Sequence, residues 1–135
     1  GCTFCATGTL GLSGNLEASE IVEQLFHAHA VRHDIRRIVF MGMGEPLENR
    51  KAVCEVAKLL TSRSGQFRLV ERPITISTVG SPPGGIRRLV EDGLAGSVRL
   101  ALSLHAPTQE LRGQIVPSAQ TNPVSDLMAE VDDFF

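Results

Sequence analysis

The stretch Val98-Arg99-Leu100-Ala101-Leu102-Ser103-Leu104 alternates apolar and smaller or polar residues over seven positions. In an extended chain successive side chains point to opposite faces. Val98, Leu100, Leu102 and Leu104 therefore share one face, and Arg99, Ala101, Ser103 and the following His105 share the other. One face is greasy enough to pack helices, while the other turns polar at its C-terminal end. Pro73 to Thr78 repeats the pattern, with Ile74, Ile76 and Thr78 alternating with Thr75 and Ser77 before Gly80. Arg37-Ile38-Val39-Phe40-Met41 is a third short, β-branched run, closed by Gly42. Continued in extended form through the glycines, it would put Val39, Met41, Met43 and Glu45 on one side.

Helical patterns separate these runs. Leu16 to about His33 carries Ile21, Val22, Leu25, Phe26 and Val31 near helical spacing, and Ala52, Val53, Val56, Ala57 and Leu60 make one apolar face. Pro82 and Pro83 introduce a helix with Ile86, Leu89 and Val90, and Val124 to Phe135 reads as a last one. Strands alternating with helices imply right-handed βαβ crossovers and a parallel sheet, an α/β fold. Three strands are few for a complete domain of this class, and the opening loop is best explained as following a strand. Residues 1–135 are thus expected to be the central part of a larger α/β barrel or half-barrel, with its first and last strands missing. The open sheet edges of such a piece would invite aggregation in isolation. In parallel α/β folds ligands bind at the C-terminal strand ends, which places a pocket at Glu45, Ser77, Ser103 and His105.

At 135 residues, 42% hydrophobic and 21% charged, the chain has the composition of one globular domain rather than a disordered segment. A net charge of −2, with basic residues only as scattered pairs such as Arg36-Arg37 and Arg87-Arg88, makes no electrostatic case for nucleic acid. Any RNA grip is expected mostly outside this segment. No apolar run reaches membrane-spanning length. Three cysteines make no disulfide framework, so an intracellular metal or redox role is expected of the close pair. The chain does not begin with methionine, so a leader peptide upstream stays open.

Three readings fit Cys2-Thr3-Phe4-Cys5. A thioredoxin-like redox pair would sit at a helix N-terminus, whereas Gly8, Gly11 and Gly14 dot the loop that follows. Half of a zinc site would need further ligands; His27, His29 and His33 lie some distance away on the first helical stretch. An iron–sulfur loop would need at least one more cysteine upstream. The spacing alone does not choose among them. Gly42-Met43-Gly44-Glu45-Pro46 lacks the third glycine of a dinucleotide fingerprint. It reads either as a close approach of backbone to a small ligand, with Glu45 facing a cationic group, or as a turn with a solvated glutamate. Ser103-Leu104-His105 is a weak signal by itself, and no G-x-S-x-G elbow surrounds either serine. Cys54, flanking the second helix's apolar face, reads as a small buried thiol.

Together the motifs are specific. The chain resembles the RlmN/Cfr family of radical S-adenosylmethionine (SAM) RNA methyltransferases. The matching stretches are G-C-T-F-C-A-T-G (1–8), G-N-L-E-A-S-E-I (14–21), M-G-M-G-E-P-L-E-N (41–49), I-T-I-S-T-V-G (74–80), L-A-L-S-L-H-A-P (100–107) and L-R-G-Q-I-V-P (111–117). They run in family order over nearly the whole segment. The resemblance implies a partial (β/α)6 TIM-like barrel and a [4Fe–4S] cluster held by C-x₃-C-x₂-C. Cys2 and Cys5 match its second and third ligands, and the first would lie three residues before Gly1. Three thiolates leave one iron open for the amino and carboxylate groups of SAM, and one electron then yields a 5′-deoxyadenosyl radical.

By the same resemblance Gly44 and Glu45 would hold the methionyl end of SAM. Ser77, Ser103, Leu104 and His105 would line the rest of its site, and Phe4 would pack near the adenosyl group. The family methylates C2 of an adenosine in 23S rRNA, one branch also a tRNA adenosine, and a resistance branch C8. The implied partners are those RNAs and a one-electron donor such as flavodoxin, without a membrane; the implied location is the cytoplasm or an organelle. The family's methyl-carrying cysteine would lie beyond Phe135 and its second catalytic cysteine upstream, so no catalytic cysteine is expected within the segment and Cys54 receives no role. Two departures stand out. Ser118-Ala119-Gln120-Thr121-Asn122 replaces the family's asparagine and basic residues, weakening the case for RNA contacts there. Glu17 stands where a capping threonine is common, which weakens an expected capping box with Glu20. Two other classes compete: a radical SAM enzyme with a different substrate, and a non-enzymatic remnant or zinc- or RNA-binding module.

Overall fold

The computed structural model describes residues 2–62 and 74–135. A short 3₁₀ turn at Thr7–Leu10 follows the cysteine loop. Then come α1 (Ala18–Val31), β1 (Val39–Phe40), α2 (Arg50–Thr61), β2 (Ile74–Thr78), α3 (Gly85–Glu91), β3 (Val98–Leu102), α4 (Gln109–Ile115), a 3₁₀ turn at Pro117–Gln120 and α5 (Val124–Phe134). The three strands are all parallel in the order β1-β2-β3, with Val39 opposite Thr75 and Ile74 opposite Val98. The expected α/β alternation and parallel sheet are present. The Pro73 start expected for the second strand, like Gly1 of the opening motif, lies outside the described residues.

The core forms where β2 meets the helices. Ile74 and Ile76 are fully buried with Val56, Ala57 and Leu60 of α2, Ile86 and Leu89 of α3, and Leu127 and Phe134 of α5. Burial of each such aliphatic side chain stabilises the fold by about 1.5–3 kcal/mol. α2 shows the periodicity directly: Ala52, Val53, Val56, Ala57 and Leu60 are inside, while Lys51, Glu55 and Lys58 face solvent. α1 packs on α2 through half-buried Ile21, Val22 and Leu25. Its capping box forms despite Glu17, whose amide N–H donates to the Glu20 carboxylate at 2.8 Å. α3 lies against α5, and the buried Glu130 carboxylate of α5 accepts N–H groups of Gly84 (2.7 Å) and Ile86 (3.0 Å). First-turn amides have no partner within their own helix, so a carboxylate from a neighbouring helix both satisfies them and favours the dipole.

Three expectations need correction. β1 ends at Phe40 and does not run on through the glycines, because Gly42 (φ 115°) and Gly44 (φ 76°) enter the left-handed region that breaks a strand. Val39, Met41, Met43 and Glu45 therefore do not share one strand face; the first three are exposed and Glu45 turns inward. His33 lies beyond the end of α1. Finally, Gln109–Ile115 is a helix where none was expected. Its cap was readable, since the Thr108 side-chain oxygen accepts the Leu111 N–H at 3.3 Å, but Gly113 inside a seven-residue segment masks the pattern.

Candidate functional site

The cysteine loop folds against the C-terminal ends of the strands. The Cys5 N–H donates to the Cys2 carbonyl at 3.1 Å, closing a turn that brings the two positions close, and the Thr3 N–H docks on the Ile115 carbonyl of α4, also at 3.1 Å. Cys2 and Cys5 are free, half-buried thiols. Phe4, between them, is 53% exposed, and its ring lies 4.5 Å from that of His105, tilted by 48°. His105 follows β3 with φ 64°, a left-handed conformation uncommon outside glycine that ends the extended run. Two segments separated by a hundred residues of sequence thus meet through one ring pair.

Beside it, Ser77 of β2 and Ser103 after β3 face each other with hydroxyl oxygens 3.2 Å apart. The strand ladder continues to this point, the Ser103 N–H donating to the Thr78 carbonyl at 2.8 Å. Glu45 reaches the end of β2 from the loop after β1. Its Oε1 accepts the Thr78 hydroxyl at 2.6 Å and the Leu47 N–H at 3.0 Å, and its Oε2 accepts the Val79 N–H at 2.9 Å. Burial raises its pKa above the usual glutamate range, against the lowering effect of these three donors. Gly44, just before it, is exposed, and a Cβ there would meet nothing within 4 Å, so this backbone is open to a ligand.

Of the residues expected from sequence, Phe4 and His105 are therefore in contact, as are Ser77 and Ser103, while Glu45 is bonded to the adjoining Thr78 and Val79. Leu104 is half-buried and contributes its carbonyl to Arg112. Sequence reasoning missed Arg112, whose side chain is fully buried. Its Nε donates to the Leu104 carbonyl (3.2 Å), one terminal nitrogen to that of Asn122 (3.3 Å) and the other to that of Val79 (2.6 Å). Desolvation lowers its pKa below the ordinary arginine value, opposed by the field of Cys2. The signal lay in the L-R-G-Q-I-V-P stretch, but an arginine in a short unrecognised helix reads as solvent-facing. Cys54 lies away from the site: it is buried, it donates to Asp92 at 3.3 Å, and burial pushes its thiol up to about 12.

The donor set suits an iron–sulfur group. Thiolates are its preferred ligands, and the two thiols lie on one closed turn without a hydrogen-bond partner among the described residues. Among those residues no group of three or more His, Cys, Asp or Glu could hold a metal ion, so two protein thiols do not complete a site by themselves. A groove of about 500 Å³ between α1 and α2, lined by Ala18, Val22, Phe26 and Leu59, lies away from these strand ends. No helix among the described residues is long and apolar enough to cross a membrane.

A parallel α/β sheet with a cysteine turn folded onto its strand ends defines the class. The chain belongs to the radical SAM superfamily, whose family model matches residues 1–128. Members of this superfamily in general use SAM and a [4Fe–4S] cluster. It is 46% identical to the "Probable dual-specificity RNA methyltransferase RlmN" of Thermus thermophilus, over 97% of this chain and 37% of that protein. It is 43% identical to the "Ribosomal RNA large subunit methyltransferase N" of Nitrosopumilus maritimus, over 100% of this chain and 38% of that one. The "Dual-specificity RNA methyltransferase RlmN" of Oleidesulfovibrio alaskensis is 45% identical, over 99% and 38%. The chain spans little more than a third of the length of these curated relatives.

Proposed function

We propose that this chain is the central part of the radical SAM core of an RNA methyltransferase that transfers a methyl group from SAM to C2 of adenosine in 23S rRNA, and in tRNA. The observation that carries this is the Phe4–His105 contact at 4.5 Å, which sets the cysteine turn beside the end of β3. Cys2 and Cys5 hold a [4Fe–4S] cluster together with a cysteine outside the segment. When bound, that cluster supplies one-electron cleavage of SAM, with the electron delivered by a donor such as flavodoxin.

The chain's own residues bind and orient. Gly44 leaves room for the methionyl backbone atoms of SAM, and Glu45 offers its carboxylate to the ammonium. A carboxylate has about four acceptor positions, and Thr78, Leu47 and Val79 occupy three of them. Ser77, Ser103, Leu104 and His105 line the remainder, and the exposed Phe4 face packs against the adenosyl group. Exclusion of water by these groups shields a reactive intermediate. The names of the relatives, all RNA methyltransferases, support the RNA substrate. Cytoplasmic location is part of the same proposal.

The test is to express the full-length protein, reconstitute it anaerobically and assay a 23S rRNA fragment and tRNA for 2-methyladenosine by mass spectrometry. C2 methylation that disappears in Cys2→Ala and Cys5→Ala is expected. Cluster formation with SAM cleavage but no RNA methylation would indicate a radical SAM enzyme of different substrate. Zinc bound without sulfide would refute the enzyme reading.

A further inference from the structure

A buried arginine without a carboxylate is an unusual element, because a charge removed from water needs compensation. Arg112 is 0% exposed, and among the described residues no acidic side chain pairs with it. Its guanidinium instead donates to three backbone carbonyls: Val79 just past β2, Leu104 just past β3, and Asn122 before α5. Asn122, itself buried, donates in turn to the Gly80 carbonyl at 2.6 Å. Two of the three, Val79 and Leu104, lie where strands stop, and the third ties in the segment before α5. A planar fork spreads its donors over three nitrogens and so reaches three separated carbonyls at once, whereas the three donors of an ammonium radiate from a single atom.

Carbonyl dipoles soften the charge but do not neutralise it. The cysteine turn lies on the same helix as Arg112: Thr3 is bonded to the Ile115 carbonyl, less than one turn further along α4. The Glu45 carboxylate accepts the Val79 N–H while Arg112 donates to the Val79 carbonyl, so the same residue is gripped on both sides. Val79 and Leu104 adjoin Thr78 and Ser103, which carry the strand-end contacts of the site.

Resting on the functional reading above, we infer that Arg112 is a positioning residue of the cofactor site. Its guanidinium ties the ends of β2 and β3 into one SAM-facing edge and sets an unpaired positive charge within one helical turn of the contact that docks the cysteine turn on α4. A nearby positive charge favours the more negative, reduced cluster, so its removal makes reduction harder.

The experiment uses full-length protein with a reconstituted cluster, as wild type, Arg112→Gln and Arg112→Lys. It reads the cluster midpoint potential by a spectroscopically monitored titration and the SAM dissociation constant by equilibrium dialysis. Arg112→Gln is expected to lower the reduction equilibrium by at least about tenfold, 59 mV for a one-electron couple, and to weaken SAM about tenfold. Arg112→Lys is expected to keep the reduction equilibrium within about threefold while still weakening SAM about tenfold, because it retains charge without the fork. A wild-type potential in Arg112→Gln, or wild-type SAM affinity in Arg112→Lys, overturns the inference. Should Arg112→Gln fail to fold, Arg112→Lys decides alone: wild-type SAM affinity, or a reduction equilibrium lowered tenfold, overturns it. A wild-type protein that takes up no [4Fe–4S] cluster refutes the functional reading instead, and the two failures are distinct.

Discussion

Replacing Glu45 with glutamine removes a charge while keeping nearly the same shape, and so isolates what the carboxylate does for the strand ends. In the native arrangement Oε1 takes two donors and Oε2 takes the Val79 N–H at 2.9 Å. Glutamine can keep its carbonyl oxygen toward Thr78 and Leu47, but its NH₂ group then points at the Val79 N–H, donor against donor. One hydrogen bond to a charged acceptor, worth about 1.5–3 kcal/mol, is lost. Relief from desolvating a charge offsets part of this, since burial is the largest influence on Glu45. A net local cost of about 1 kcal/mol is expected at neutral pH, which corresponds to roughly fivefold faster opening. The assay is amide hydrogen exchange at Val79 and Leu47 in the apo full-length protein, corrected for intrinsic rates. pH supplies an independent signature. With its folded pKa raised, Glu45 binds a proton more readily in the folded than in the unfolded state. Its contribution is therefore greatest below the ordinary glutamate range and is lost as pH rises through the raised folded value. That slope should vanish in Glu45→Gln. Unchanged Val79 protection, or a pH slope surviving in the variant, would refute the assigned hydrogen bonds.

Three further outcomes are expected. Glu130→Ala leaves the half-buried N–H of Gly84 and the buried N–H of Ile86 without their acceptor and should destabilise the α3–α5 pair by about 2–5 kcal/mol, read as lost amide protection in α3. Gly80→Ala forces a side chain onto φ 82° and into Leu127 Cδ1, with an expected loss of about 2–5 kcal/mol in denaturant melts; a change below about 1 kcal/mol would contradict this packing. Iodoacetamide at pH 8 should label Cys2 and Cys5 in the apoprotein and spare native Cys54. With its thiol pushed up to about 12, only roughly one Cys54 in ten thousand is thiolate at that pH. Peptide mapping checks it, and labelling of Cys54 at the rate of the other two would contradict its burial.

By itself, the sequence determined the alternation of strands and helices, and with it the parallel α/β sheet. Each of those elements carries its own periodicity: the i, i+1, i+4, i+5, i+8 face of α2 and the two-residue alternation of β2 and β3 are local properties. It also marked Glu45, Ser77, Ser103 and His105 by their place at the expected strand ends, and Cys2, Phe4, Cys5, Gly44 and Leu104 through the ordered set of motifs that together resemble one family. Only the tertiary structure decided how they connect. β1 stops after Phe40 because two glycines adopt positive φ, so Glu45 reaches the end of β2 from a turn and not along a strand. α4 exists although Gly113 dilutes its pattern, since its cap and its contacts outweigh propensity. Arg112 was illegible for the deepest reason. Its three acceptors are backbone carbonyls from segments 8, 10 and 33 residues away in sequence, and a carbonyl carries no residue identity for a sequence to display.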